Sequence, residues 1–292
     1  MTKILEVKNL VKTYKNKVVL DNISFSLEKG CVCGFLGPNG AGKTTTMKII
    51  VDLISKTSGD VLYDKSITLS YLQDVPQFYE FYSVYEYLDF LLDLDGCKDK
   101  RRIDEILELV GLSKQKSVII KKLSRGLRQR VGIASSIINN PDILILDEPV
   151  SALDPIGRKE IFDLIGKLKG NMTIIFSSHI LSDVEKICDQ IIIIDSGKIL
   201  LDKNVKDLSF DNNIVMVEFN NNDDAKKFEK KFKKISIVED NIVEIKSDDV
   251  NKLQQKIFKV LLDEQLIVNS ICIKKSTLEE IFISEVSKNE KI

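Results

Sequence analysis

The stretch that most limits what this chain can fold into is CVCGFLGPNGAGKTTTMKII, residues 31–50. It reads as a strand, a tight loop and a helix. Val32, Phe35 and Leu36 make the strand apolar, and Met47, Ile50, Val51 and Ile54 recur at helical spacing. Between them, Gly37, Gly42, Lys43 and Thr44 hold the fixed places of G-x-x-x-x-G-K-[ST]. Glycines let the backbone curl until successive N–H groups point into one concavity, a nest for anionic oxygens. The start of the helix adds its partial positive charge. Lys43 can reach outer phosphates, and the Thr44 hydroxyl can take a Mg²⁺ coordination site. The stretch predicts a nucleoside triphosphate site.

The rest of the chain is read around that loop. Strands are expected over 3–8 and 17–28, with Tyr14 in the turn between them. In the second, Leu20, Asn22, Ser24 and Ser26 alternate with Asp21, Ile23, Phe25 and Leu27, as in a half-buried antiparallel strand. Short strands follow near 60–63 and 67–72. From Val84 the pattern turns helical, with Val84, Leu88 and Leu91 on one face. A second helix over 101–110 is closed by Gly111. Ser124 is the expected N-cap of a helix running to about Asn139. Residues 76–140 therefore form a mostly helical insertion. Ile143–Leu146 is a short, wholly apolar run, as a central parallel strand requires. It ends in Asp147-Glu148, and Asp154-Pro155 opens the next helix. MTIIFSSH is another buried strand, ending at His179, followed by a helix through 182–188 and strands 190–195 and 198–202.

Beyond a polar stretch at 203–212 the pattern changes. Strand 213–219, helix 223–234, strands 235–239 and 242–246, helix 249–263 and strand 266–274 give the order of a ferredoxin-like domain. The lysines at 226–234 read as a solvated helix face. Ser276 and Glu279 form a capping box that starts a last helix. The expected fold is α/β. It is a P-loop NTPase cassette over 1–209, with a mixed sheet core, an antiparallel β subdomain and a helical insertion. A small C-terminal α+β domain, ferredoxin-like, fills 210–292.

Charge excludes some classes. With 43 basic and 44 acidic residues the net charge is −1, so there is no global nucleic-acid footprint. No run of 18 apolar residues exists to span a membrane, and the N-terminus lacks a signal-peptide core. Cys31 and Cys33 share one face of a strand. They could pair on a metal, but His179 is the sole histidine and no second pair is near. Cys31, Cys33, Cys97, Cys188 and Cys272 are expected as buried free thiols in a reducing cytosol.

A phosphate loop, a helical insertion and a later strand ending in Asp-Glu define a doubly wound nucleotide fold, with ligands beyond the carboxyl ends of the strands. There Asp147 can hold Mg²⁺ or its water shell, and Glu148 can polarise an attacking water as general base.

GPNGAGKTT, LSRGLRQR, ILILDEPVSALDP and SSH, in that order, resemble an ATP-binding-cassette ATPase subunit over residues 3–205. STLEEIF is similar to the end of the drug, antibiotic and lipid exporter subgroup. The resemblance implies ATP and Mg²⁺ as ligands. It assigns the phosphates to Gly37, Pro38, Asn39, Gly40, Ala41, Gly42, Lys43, Thr44 and Thr45, and adenine stacking to Tyr14. Ser124 and Gly126 match a signature loop that closes over the γ-phosphate of an opposite subunit. Ser151–Asp154 match the loop that touches that subunit, and His179 matches a switch histidine. The catalytic set is then Lys43, Glu148 and His179, with Thr44 and Asp147 on the metal.

The chain departs from the family pattern in three places. Arg125 and Leu127 replace usual signature residues. The glutamine loop reads Leu72-Gln73-Asp74, so in strict register Asp74 takes the glutamine place and can itself ligate Mg²⁺, while a one-residue shift restores Gln73. The segment from Gly59 to Tyr71 is short.

The implied function is the ATP-binding and ATP-hydrolysing subunit of a transporter. It would power a separate transmembrane permease, in the export direction on the tail resemblance alone. It would pair head-to-tail with a second copy or a homologous cassette and lie on the cytoplasmic face of the membrane. Phe78–Tyr87 falls where the family receives a coupling helix of the permease, or else is core of the helical insertion. One alternative is a soluble clamp acting on ribosomes or DNA. Such proteins usually carry two cassettes or a long heptad insertion, and this chain has one cassette and no heptads. The other is a sensor of ATP without turnover, against which Glu148 and His179 argue.

Overall fold

A computed structural model describes residues 2–274, apart from 98, 152, 181–183, 185, 186, 209–213, 233, 234, 240 and 248, and gives backbone alone for 235–239. The helix expected from Ser276 and most of the one expected over 182–188 lie outside the described residues. The chain divides into two compact units between Asp207 and Leu208.

In the first unit, six strands form one sheet: β3 (Val32–Leu36), β5 (Leu69–Leu72), β6 (Ile143–Leu146), β7 (Thr173–Ser178), β8 (Gln190–Asp195) and β9 (Lys198–Asn204), in the order β5-β6-β7-β3-β8-β9. All neighbours are parallel except β8 and β9. Every residue of β3, β6 and β7 is buried, which is why these strands are unbroken apolar or small runs rather than alternating ones. The register sets what the strand ends share. Leu36 pairs with Ser178, Leu146 with Phe176, and Leu72 with Leu146. The phosphate loop, Gln73-Asp74, Asp147-Glu148 and His179 therefore all emerge at one edge of the sheet.

A separate antiparallel sheet has the order β2-β1-β4, from β1 (Lys3–Tyr14), β2 (Lys17–Glu28) and β4 (Ser58–Leu62). Two expectations change here. β1 runs on to Tyr14, so the turn is Lys15-Asn16 and Tyr14 ends a strand. The alternation of β2 is broken at Asn22, whose φ is +57°, so Leu20 and Ile23 are both buried where strict period two separates them.

The helical segment holds α2 (Val84–Leu94), α3 (Arg101–Leu109) and α4 (Arg125–Ile137), after α1 (Lys43–Ile50) and before α5 (Pro155–Leu168). Ser83 caps α2 through a capping box with Glu86. The buried face of α2 is Val84, Tyr87, Leu88 and Leu92, so Leu92 rather than Leu91 completes it. Of the thiols, Cys33 and Cys188 are buried and Cys31 and Cys97 are half-buried. Cys272, expected inside, is exposed.

The second unit is a four-stranded antiparallel sheet of order β11-β12-β10-β13, built from β10 (Ile214–Phe219), β11 (Ile235–Glu239), β12 (Ile242–Lys246) and β13 (Val268–Lys274). α6 (Asn222–Glu229) and α7 (Val250–Asp263) complete a ferredoxin-like β-α-β-β-α-β order. Val215, Val217, Phe219, Val243 and Ile245 alternate onto the face that packs with Phe228 of α6 and Leu253, Ile257 and Leu261 of α7. Each such side chain contributes about 1.5–3 kcal/mol when fully buried. α6 stops at Glu229, short of the expected 234, and Lys226, Lys227, Lys230 and Lys231 are exposed.

Candidate active site

The loop after β3 closes because its glycines have no Cβ. A Cβ on Gly37 would sit 2.1 Å from the Ile194 carbonyl oxygen. Gly40 and Gly42 have φ of +83° and +112°, a region that side chains disfavour. Gly42 caps α1, whose first turn carries no acid to oppose an anion. Lys43 is the first residue of that helix and is only 6% exposed. Its ammonium donates to the carbonyls of Gly37 at 2.7 Å and Pro38 at 3.2 Å, which folds it back across the loop.

Opposite stands the acidic pair at the end of β6. Asp147 is 2% exposed. Its Oδ1 accepts from Ser177 Oγ of β7 at 2.7 Å, and its Oδ2 accepts from the Tyr71 hydroxyl of β5 at 3.1 Å. Its own N–H donates to Leu72. Burial first, and then the Asp147 charge, push the Tyr71 phenol pKa upward, so it stays a donor. Glu148 has φ +47°, the left-handed region, and its N–H donates to Ser177 Oγ at 2.7 Å. That turn aims its carboxylate away from Asp147 and toward the loop. Oε2 lies 2.9 Å from His179 Nδ1, and Oε1 lies 3.2 Å from Lys43 Nζ. The Lys43 contact is an ion pair without hydrogen-bond alignment, so Oε1 is buried with no donor.

A cavity of about 580 Å³ lies against this edge. Asn39, Gly40, Gly42, Lys43, Thr44 and Thr45 form one wall, and Asp74 and Glu148 face them. Gly37, Pro38, Ala41, Asp147 and His179 are not on the cavity wall. Of the two glutamine-loop alternatives, Asp74 lines the cavity and Gln73 does not. Asp74 Oδ1 accepts from Ser151 Oγ at 2.6 Å. Tyr14 is not on the wall. Its ring is exposed and carries Lys12 Nζ 4.5 Å from its centroid, while Lys17, Val18 and Val19 reach the cavity instead.

Ser124, Gly126 and Asp154 are brought together, but at a different place. They line a second cavity of about 630 Å³. Ser124 caps α4 by accepting from the Leu127 N–H, and Asp154 caps α5 by accepting from Gly157. Arg125 is exposed beside them. None of the three reaches the first cavity within the chain. Two contributors, Tyr71 and Ser177, have no expected role in the sequence: Tyr71 lies in no motif, and Ser177 belongs to SSH, of which only His179 is assigned a task. Only strand order shows that β5 and β7 flank β6.

The residues present fit a nucleotide phosphate with a divalent cation. The loop is a cradle that a Cβ at Gly37 would fill. A buried carboxylate oxygen is left without a donor. Thr44, Asp74 and Asp147 offer hard oxygen donors. Among the described residues no three acids, histidines or cysteines form a ready-made cage. That suits a metal held by one or two carboxylates and by the phosphates themselves.

Comparison with known proteins identifies the family of the chain. A family model described as ABC transporter matches residues 20–151. The uncharacterized ABC transporter ATP-binding protein YcbN of Bacillus subtilis (strain 168) is 35% identical, over 99% of each chain. The chain belongs to the ABC transporter ATP-binding proteins. The bacitracin transport ATP-binding protein BcrA of Bacillus licheniformis is 33% identical to this cassette over 97% of each chain. Among solved structures, cbiO1 from Clostridium perfringens, part of the ABC transporter complex cbiONQ, is similar at 29% identity. Its TM-score is 0.63, covering 70% of this cassette and 90% of that chain. None of these proteins is described as acting on ribosomes or DNA. No helix among the described residues is long and apolar enough to cross a membrane.

Proposed function

We propose that this cassette binds Mg²⁺–ATP and hydrolyses it by in-line attack of water, driving a separate transmembrane permease. The observation that carries this reading is the Lys43–Glu148–His179 chain of contacts, in which Lys43 and Glu148 line the cavity and His179 holds Glu148 from off its wall. A lysine, a carboxylate and an imidazole meet where a terminal phosphate would lie.

In this reading the loop N–H groups and Lys43 hold the phosphates, and Thr44 and Asp147 hold the cation, with Asp74 as an added ligand. Held there, a divalent cation would supply neutralising charge for the phosphates. Lys43 gives up Glu148 for a phosphate oxygen, which leaves Glu148 free to orient water and accept its proton. His179 holds the Glu148 carboxylate and then contacts the γ-phosphate. The second cavity supports a head-to-tail pair. Its Ser124 helix start and Asp154 loop would complete the site of a partner cassette, a second copy or a homologue, while Tyr14 would join the adenine end on closure.

Residues 1–209 would be the motor and 210–292 an accessory domain. The exposed rings of Tyr79 and Phe81, 55% and 70% accessible, offer a docking face for the permease. Export would rest on the likeness of the STLEEIF tail to the exporter subgroup, and the site of action would be the cytoplasmic face of the membrane.

Steady-state ATPase assays of the wild type and Glu148→Gln test the chemistry. The variant should bind ATP, pair and turn over at least 100-fold more slowly, the scale of a lost general base. Unchanged turnover removes Glu148 from the role. Affinity isolation from solubilised membranes should retrieve a polytopic protein, and retrieval of ribosomes would overturn the transport reading.

A further inference from the structure

The buried Asp147 carboxylate is held by two hydroxyl groups. β6 ends in Asp147, and its two neighbours in the sheet are β5 and β7. Each neighbour supplies one hydroxyl: Tyr71 to Oδ2 at 3.1 Å and Ser177 to Oδ1 at 2.7 Å. A carboxylate has about four acceptor positions. One hydroxyl on each oxygen fixes the plane of the group and leaves a lone pair on each oxygen for a metal or its water. Ser177 also receives the Glu148 N–H, so it serves two residues at once. The Tyr71 hydroxyl makes no other hydrogen bond among the described residues, and its ring packs against the core of the sheet.

We infer that Tyr71 is a positioning residue for the metal-side carboxylate, its phenol hydroxyl setting the orientation in which Asp147 takes a divalent cation. The inference rests on the proposed role of Asp147. Removing a partner that orients a metal ligand typically costs about 10–100-fold in metal affinity or activity. Tyr71 lies three residues before Asp74, which is itself tied to Ser151. One short segment therefore holds the buried carboxylate at one end and lines the cavity at the other.

The test uses the full chain and Tyr71→Phe, which removes one oxygen and keeps the packed ring. Mn²⁺ binding is followed by electron paramagnetic resonance at saturating ATP, and ATP affinity is measured separately in EDTA. Mn²⁺ should bind about tenfold more weakly in the variant. ATP affinity in EDTA should stay within about twofold of wild type, because among the described residues the Tyr71 hydroxyl bonds to Asp147 and to no phosphate-loop residue. Unchanged or tighter Mn²⁺ binding overturns the inference, as does a matching fall in metal-free ATP affinity, which marks a merely structural role. Asp147→Asn separates the two levels of the argument. Weakened Mn²⁺ binding in Asp147→Asn but not in Tyr71→Phe removes Tyr71 alone. Unchanged binding in Asp147→Asn takes down both the inference and the role of Asp147.

Discussion

Lys43 and Glu148 are each other's counter-charge in the nucleotide-free protein, and a double-mutant cycle can measure that. Two unit charges 3.2 Å apart interact by about 5 kcal/mol at an effective dielectric of ~20. Removing one partner of a buried pair costs about 3–5 kcal/mol when nothing else holds the survivor. Here something does. In Glu148→Gln the ammonium keeps its two carbonyl acceptors, and in Lys43→Met the carboxylate keeps His179. The cavity also admits water to both. Each single substitution should therefore cost roughly 2 kcal/mol, and the double about 2 kcal/mol less than their sum. The assay is urea unfolding of the full chain in EDTA without nucleotide, followed by fluorescence and circular dichroism. Additivity within about 0.5 kcal/mol would refute the pair as an energetic unit. The same competition predicts that Glu148→Gln binds ATP in EDTA more tightly than wild type, since phosphate no longer displaces a carboxylate from Lys43.

Gly37→Ala places a methyl 2.1 Å from the Ile194 carbonyl. It should lose about 1–3 kcal/mol of stability and most ATP affinity, read by thermal melts and fluorescent-nucleotide titration; normal binding would contradict the tight closure. Asp74→Gln removes a negative charge from the cavity wall, so ATP affinity in EDTA should rise several-fold while Mn²⁺ affinity falls. Titration calorimetry reads both, and no change in either argues that Asp74 faces solvent. Burial pushes the Cys31 thiol from an ordinary 9.0 up to about 11 and raises Cys33 and Cys188 well above it. A raised pKa favours the neutral thiol, so at pH 8 Cys31 holds on the order of 100-fold less thiolate than an unshifted group. Maleimide should label exposed Cys272 first, with Cys31 labelling rising until about pH 11; labelling of folded Cys33 as fast as Cys272 would refute this.

Much of this architecture was legible in the sequence because it rests on local rules. The phosphate loop follows from glycine spacing and the buried strands from unbroken apolar runs. The helix caps Ser83, Ser124, Asp154, Asn221 and Asp249 follow from side chains that accept backbone N–H groups, though only Ser124 and Asp154 are expected from the sequence. What escaped depends on strand pairing. Strict alternation sets Leu20 on the face opposite Ile23, and period two holds only until a residue such as Asn22 turns left-handed. Tyr14 was placed in a turn because Lys-Thr-Tyr-Lys carries no strand signal of its own and extends only against β2. Tyr71 and Ser177 became visible only once β5 and β7 were seen to flank β6.

The left-handed backbone at Glu148 has an evolutionary consequence. A residue with a Cβ is held there at a cost of roughly 1–2 kcal/mol that glycine would not incur. A laboratory campaign rewarding heat resistance alone should therefore drift toward glycine or asparagine at that position, and the hardened proteins it yields would be inert motors unless phosphate release were screened alongside melting.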